Sequence, residues 1–215
     1  MTNLRKIALA AVVLLSVAGA RAGAQDYSRL TLIRDDATRN FVRTFLSAAF
    51  SRGVPTDPLM SKALEGVAKR ADTKAIRDAM SALEKRMTLA GKALGPASTV
   101  DEIAAGADAL WVGAAEGTLK QMRQVAPRRS IALELGVLTE LMAQKVSPKK
   151  ASKMVLDLMA RGATGVQLTA LSNDVQGDVA AGLKPEVALD LRGHGIMSLL
   201  PSPSSASTLQ GRPPR

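Results

Sequence analysis

The chain has 215 residues, with 29 Lys and Arg against 19 Asp and Glu, a single His, no Cys and a net charge of +10. The absence of cysteine excludes disulfide scaffolds and thiolate metal sites, and one histidine cannot build a zinc centre of ordinary stoichiometry. Aromatic residues make up only 2%, so Ala, Leu, Val and Met must fill a core that this length can bury as one domain or as two half-units.

Residues 1–24 read as a secretory signal, with Arg5 and Lys6 as its basic start, an apolar run from Ile7 to Ala20, and Ala22-Gly23-Ala24 as a small-residue cleavage site before Gln25. The apolar run is shorter than the roughly 20 residues a bilayer-spanning helix needs. No later segment is apolar for long enough, so the mature chain is expected to carry no transmembrane segment and to be exported, to the periplasm or outside the cell.

An all-helical domain is expected over 25–200. Asp35 or Asp36 caps a first helix from about Ala37 to Arg52, with Phe41, Val42, Phe45, Leu46, Ala49 and Phe50 as its buried stripe and Gly53 ending it. Thr56-Asp57-Pro58 opens a second helix to about Arg70, because proline in the first turn loses no needed donor. Asp72 caps a third, whose Ile76, Met80, Leu83, Met87, Ala90 and Leu94 are spaced like a coiled-coil seam before Gly95-Pro96 stops it. The seam is short for an autonomous coiled coil and reads as core.

Thr99 and Glu102 form a capping box for a fourth helix carrying Ile103, Ala107, Leu110 and Trp111. Gly113 breaks it, and a short fifth helix holds Leu119, Met122 and Val125 before Pro127. Further helices are expected from Ser130 to Gln144, from Pro148 to Arg161 with Ser147 as cap, from Gly165 to about Ala181 with Thr164 as cap, and from Pro185 to about residue 193. Gly162 and Gly182 punctuate this half, and His194, between two glycines, reads as a turn residue. Residues 201–215, rich in Pro and Ser, read as a disordered tail.

At an offset of 92 residues the chain repeats itself. Leu59 falls on Ala151, Ala63 on Val155, Val67 on Met159, Ile76 on Leu168, Leu83 on Val175 and Met87 on Val179, all at helical spacing. The expected fold is therefore all-α. Two related three-helix units, about 36–95 and 130–182, are joined by two short helices over about 99–125 and followed by a terminal helix, as a compact bundle or short solenoid.

SRGVPTDPLMSKALEGVAK at 51–69, KVSPKKASKMVLDLMARGA at 145–163 and VQGDVAAGLKPEVALDLRGHG at 175–195 resemble a family of exported, alanine-rich, all-helical bacterial proteins with no assigned activity. The resemblance implies the helical, exported reading and no functional residue. Lys69-Arg70-Ala71-Asp72 and Lys145-Val146-Ser147 stand where the family pattern has Gly-containing turns.

Between Lys120 and Met154 lie Lys120, Arg123, Arg128, Arg129, Lys145, Lys149, Lys150 and Lys153, against only Glu134 and Glu140. Lys149, Lys150 and Lys153 cluster in the opening turns of their helix, where the macrodipole disfavours cations. An anionic partner gives them a rationale: an acidic envelope polymer, an anionic lipid headgroup or an acidic protein. Ordinary solubilising charge is the alternative. Without interleaved aromatics to stack bases, the stretch argues against nucleic acid.

No phosphate loop, nucleophile elbow or metal cluster is present, and no cofactor is expected. Glu65 and Asp157 read as surface partners of Lys69 and Arg161, four residues on. Asp174 with Asp178, and Glu186 with Asp190, each share a helix face but lack the loop oxygens a hard cation needs. The preferred reading is a non-enzymatic scaffold or interaction protein. The alternative is an envelope hydrolase using Glu65, Asp157, Asp174 and Asp178 in a groove between the units.

Overall fold

The computed structural model describes residues 27–201, so the expected signal segment and nearly all of the expected tail lie outside the described residues. Among the described residues there are nine α-helices after a short 3-10 turn at Tyr27–Leu32, and no strand. They are α1 (Asp36–Ser51), α2 (Asp57–Ala68), α3 (Thr73–Leu94), α4 (Val100–Trp111), α5 (Glu116–Val125), α6 (Ala132–Ala143), α7 (Pro148–Ala160), α8 (Gly165–Ala180) and α9 (Pro185–Leu199).

The caps explain where these helices begin. The Asp35 carboxylate accepts from the Thr38 amide at 2.7 Å, and Asp72 does the same for Ala75 at 2.6 Å. The hydrogen bond from Thr38 holds the Asp35 carboxyl below its ordinary pKa. Capping boxes open α4 through Thr99 and Glu102 and α8 through Thr164 and Gln167. Ser147 stands at the start of α7, but its hydroxyl makes no capping bond.

The duplication is visible in hydrogen bonds. At the end of α1 the Val54 amide donates to the Ala49 carbonyl at 3.0 Å, and at the end of α6 Val146 donates to Leu141 at 3.2 Å. After α2 and α7, Ala71 donates to Gly66 and Ala163 to Leu158, both at 2.9 Å. Each of these bonds closes a Schellman motif around a residue with positive φ. Gly53 (φ 73°) matches Lys145 (φ 72°), and Arg70 (φ 56°) matches Gly162 (φ 80°).

Both units thus keep the turns although each has glycine at only one of the two positions. A left-handed non-glycine residue costs about 1–2 kcal/mol, part of which glycine gives back in unfolded-chain entropy. Arg70→Gly and Lys145→Gly are each expected to raise stability by about 1 kcal/mol, read as a higher urea midpoint at unchanged slope.

Buried side chains form two adjoining clusters. One joins Leu30 and Ile33 to α1, α2 and α3 as far as Met87; the other runs from Ala90 on α3 through α9. The long α3 belongs to both, and its six-residue seam from Ile76 to Leu94 is buried throughout. It packs on α2, α4 and α5, while α4 also packs on α6, linking the units.

The two units differ in how their second and third helices meet. In unit one α2 packs directly on α3, with Gly66 so close that a Cβ there would lie 2.7 Å from Ile76 Cγ1. The matching positions in unit two are the buried Leu158 and Leu168. Two leucines need more room than a glycine and an isoleucine, and α9 packs against both α7 and α8.

Three expectations are corrected. The last helix does not stop near residue 193 but continues to Leu199, because Gly193 is the contact point with α7: a Cβ there would fall 2.3 Å from Met154 Cε. His194 accordingly sits inside α9, its Nδ1 2.7 Å from the Asp190 carbonyl, and is not a turn residue. Phe50, expected on the buried stripe of α1, is exposed, as is Trp111 at the end of α4.

Candidate functional site

The basic stretch spans α5, the α5–α6 connection, α6 and the first half of α7, and the fold divides its eight cations into two groups. Arg123, Arg129, Lys150 and Lys153 have carboxylate partners within the chain. Lys120, Arg128, Lys145 and Lys149 are exposed, and no carboxylate among the described residues pairs with them.

Arg123 is a structural residue. Glu102, the third residue of the α4 capping box, is only 2% exposed. Its Oε2 accepts from the Thr99 amide at 2.8 Å, while Oε1 accepts from the Ile131 amide at 2.9 Å and from the Arg123 guanidinium. Arg123 also donates to the carbonyls of Ala126 at 3.1 Å and Arg129 at 3.0 Å. One carboxylate thus ties the start of α4 to the α5–α6 connection. Burial raises its pKa, but the hydrogen bonds from Thr99, Ile131 and Arg123 together outweigh burial and leave it below the ordinary value. Arg129 pairs in the same way with the buried Glu134.

Sequence spacing shows Glu102 only as a capping residue. Its second bond, to an amide 29 residues on, depends on α6 packing against α4 and has no local signal.

Lys150 ties α7 to α9, donating to Asp190 at 2.5 Å and to the Glu186 carbonyl at 3.3 Å. Lys153 pairs with Asp157 at 2.5 Å. This corrects the expected partnership of Asp157 with Arg161. Lys153, one full turn back on the same helix, takes the carboxylate instead.

A groove of about 450 Å³ opens between α5 and α7. Lys149, Lys153 and Asp157 stand on its α7 side, with Thr118 and Gln121 opposite and Pro148 and Leu156 supplying apolar wall. Thr118 donates to Ser152 across it at 3.4 Å. This arrangement presents a net positive, partly apolar cleft beside the first turn of α7.

The carboxylates considered for hydrolysis do not share that groove. Asp157 lines it, while Glu65 lines a second groove between α2, α3 and α4. Asp174 and Asp178 face Arg192 on α9, which donates two bonds of 2.7 Å to Asp178 and lies 3.7 Å from Asp174. Hydrogen bonding from Arg192 lowers the Asp178 pKa. Hydrogen bonds from Lys62 and then Lys69 lower that of Glu65 to about 2. Among the described residues no three or more His, Asp or Glu side chains are grouped to hold a metal ion. Nor is any helix among them long and apolar enough to cross a membrane.

Comparisons with protein-family models, with curated proteins and with solved structures find no match to this chain.

Proposed function

We propose that this is an exported, non-enzymatic helical interaction protein that binds an anionic envelope component across its α5–α7 face, and that it belongs to the exported helical family it resembles. The observation that carries the reading is the set of exposed cations the fold leaves without carboxylate partners. Arg123 and Arg129 are accounted for by buried acids, but Lys149 stands in the first turn of α7, against the helix dipole and beside an open groove. Lys120, Arg128 and Lys145 add further exposed positive charge within the same stretch of the chain. The hydrolase alternative has less support, because its four carboxylates lie in three different places and all are paired with cations, Asp174 and Asp178 sharing Arg192.

The test is retention on vesicles containing phosphatidylglycerol, compared with wholly zwitterionic vesicles. The chain is expected to bind the anionic vesicles, and binding should fall as salt is raised. Replacing Lys120, Arg128, Lys145 and Lys149 together by Gln should abolish this retention with helicity intact. Retention that is indifferent both to salt and to these substitutions would refute the proposal.

A further inference from the structure

The chain's single tryptophan is left largely in solvent. Trp111 is 70% exposed at the end of α4, although an indole offers one of the largest hydrophobic gains available to a fold. Arg86 from α3 lies over one face of the ring, 4.6 Å from its centroid, so the exposed surface is the other face and the edges. The pair stands at the side of the second groove, about 470 Å³ between α2, α3 and α4.

Ala79, Ala82 and Ala104 line this groove with small side chains, and Ser61, Lys62, Glu65 and Asp108 supply its polar groups. Two of the charged groups are not committed elsewhere. Arg86 forms no ion pair among the described residues, and its Nε is buried without a hydrogen-bond partner there. Asp108 makes no ion pair either; desolvation raises its pKa against the pull of Arg86 and Lys62.

We propose that this groove binds a neutral pyranose unit of a saccharide. A hydroxyl group both donates and accepts, so one sugar edge can meet the Arg86 N–H and the Asp108 carboxylate together, where a purely anionic or cationic ligand would satisfy only one. The apolar C–H face of the sugar can lie along the exposed edge of Trp111 and against the small Ala79, Ala82 and Ala104 side chains, on the same side of the ring as Arg86. Lys62 and Arg86 balance Glu65 and Asp108, so a neutral ligand meets no uncompensated charge. The volume falls within the range of about 300–1,000 Å³ typical of small-molecule sites, enough for one or two rings. This site shares no residue with the α5–α7 groove, and its ligand class does not rest on the anionic partner proposed above.

Because Trp111 is the only tryptophan, its emission reports on the groove directly. The purified chain is titrated with tri-N-acetylchitotriose, maltotriose, cellotriose and mannotriose, with glycylglycine as a zwitterionic control. A saturable emission change is expected with at least one trisaccharide and none with glycylglycine. Calorimetry with the same sugar should show affinity falling about tenfold or more in Arg86→Gln and in Asp108→Asn, the loss expected when a buried hydrogen-bonding partner is removed. Both variants should keep wild-type helicity. Silence with all four sugars, equal affinity in both variants, or a response to glycylglycine alone would overturn the proposal. So would an emission shift on raising protein concentration without sugar, because the indole would then be covered by a second copy of the chain.

Discussion

Replacing Glu102 by Ala is expected to cost about 3–5 kcal/mol, the loss typical of breaking a buried ion pair from one side. The substitution removes the acceptor for two backbone amides and leaves Arg123, mostly buried beside α4, without its anion. Urea unfolding followed by far-ultraviolet circular dichroism measures the loss. Arg123→Ala should also be severe, and the double variant should cost clearly less than the two single losses together, because both remove one interaction. A cost within experimental error for Glu102→Ala would mean that the network does not hold α4 to the α5–α6 connection.

The same residue sets a direction for acid sensitivity. The folded-state pKa of Glu102 lies below its ordinary value of 4.5, so the stability it contributes is fully present above that value. It is lost as pH falls through the lower folded value. Glu102→Gln should therefore flatten the fall of stability below about pH 4.5. Glu65 is a useful contrast. Its pKa is lowered further, to about 2, by hydrogen bonds from Lys62 and then Lys69, but water screens these exposed pairs, and Glu65→Gln should leave the urea midpoint nearly unchanged at neutral pH.

The second large effect is expected where the two units diverge. Gly66→Leu gives unit one the residue that unit two has at the matching position, and places a side chain where even a Cβ would be 2.7 Å from Ile76 Cγ1. Overpacking of this kind typically costs about 1–3 kcal/mol. The β-branched Ile76 is stiff about its first side-chain torsion and cannot swing aside cheaply. Adding Ile76→Ala should recover part of the loss by making room. If Gly66→Leu alone were neutral, close α2–α3 packing would not explain why α7 and α8 are arranged differently.

Much of the fold was legible because its determinants are local. Asp35, Asp72 and Thr99 announce helix starts through bonds to amides three residues on. The α3 seam announces its buried face through spacing alone. The offset of 92 residues foretold matching turns, and the hydrogen bonds at Val54 and Val146 match accordingly. Glycine at 193 misled because the same residue serves two ends: it can stop a helix, or it can let one helix touch another. Only the position of Met154 shows which applies.

The candidate site was less legible. Eight cations in one stretch are visible as charge, but a buried carboxylate that captures Arg123 arrives from 21 residues away, and the one that captures Arg129 is buried only because α6 is buried on most sides. Trp111 likewise shows in the sequence only as the last apolar residue of the fourth helix. Its exposure, and the neighbourhood of Arg86 and Asp108, follow from how α3 and α4 cross.

The residues by themselves determined that this chain is helical, where its helices start, which faces are apolar and that three of them recur, since caps, spacing and turns act over a few residues. Tertiary packing decided which charges are spent on buried partners, which remain on the surface, and where grooves open. Those outcomes depend on groups brought together from distant parts of the chain, and no local rule carries that information.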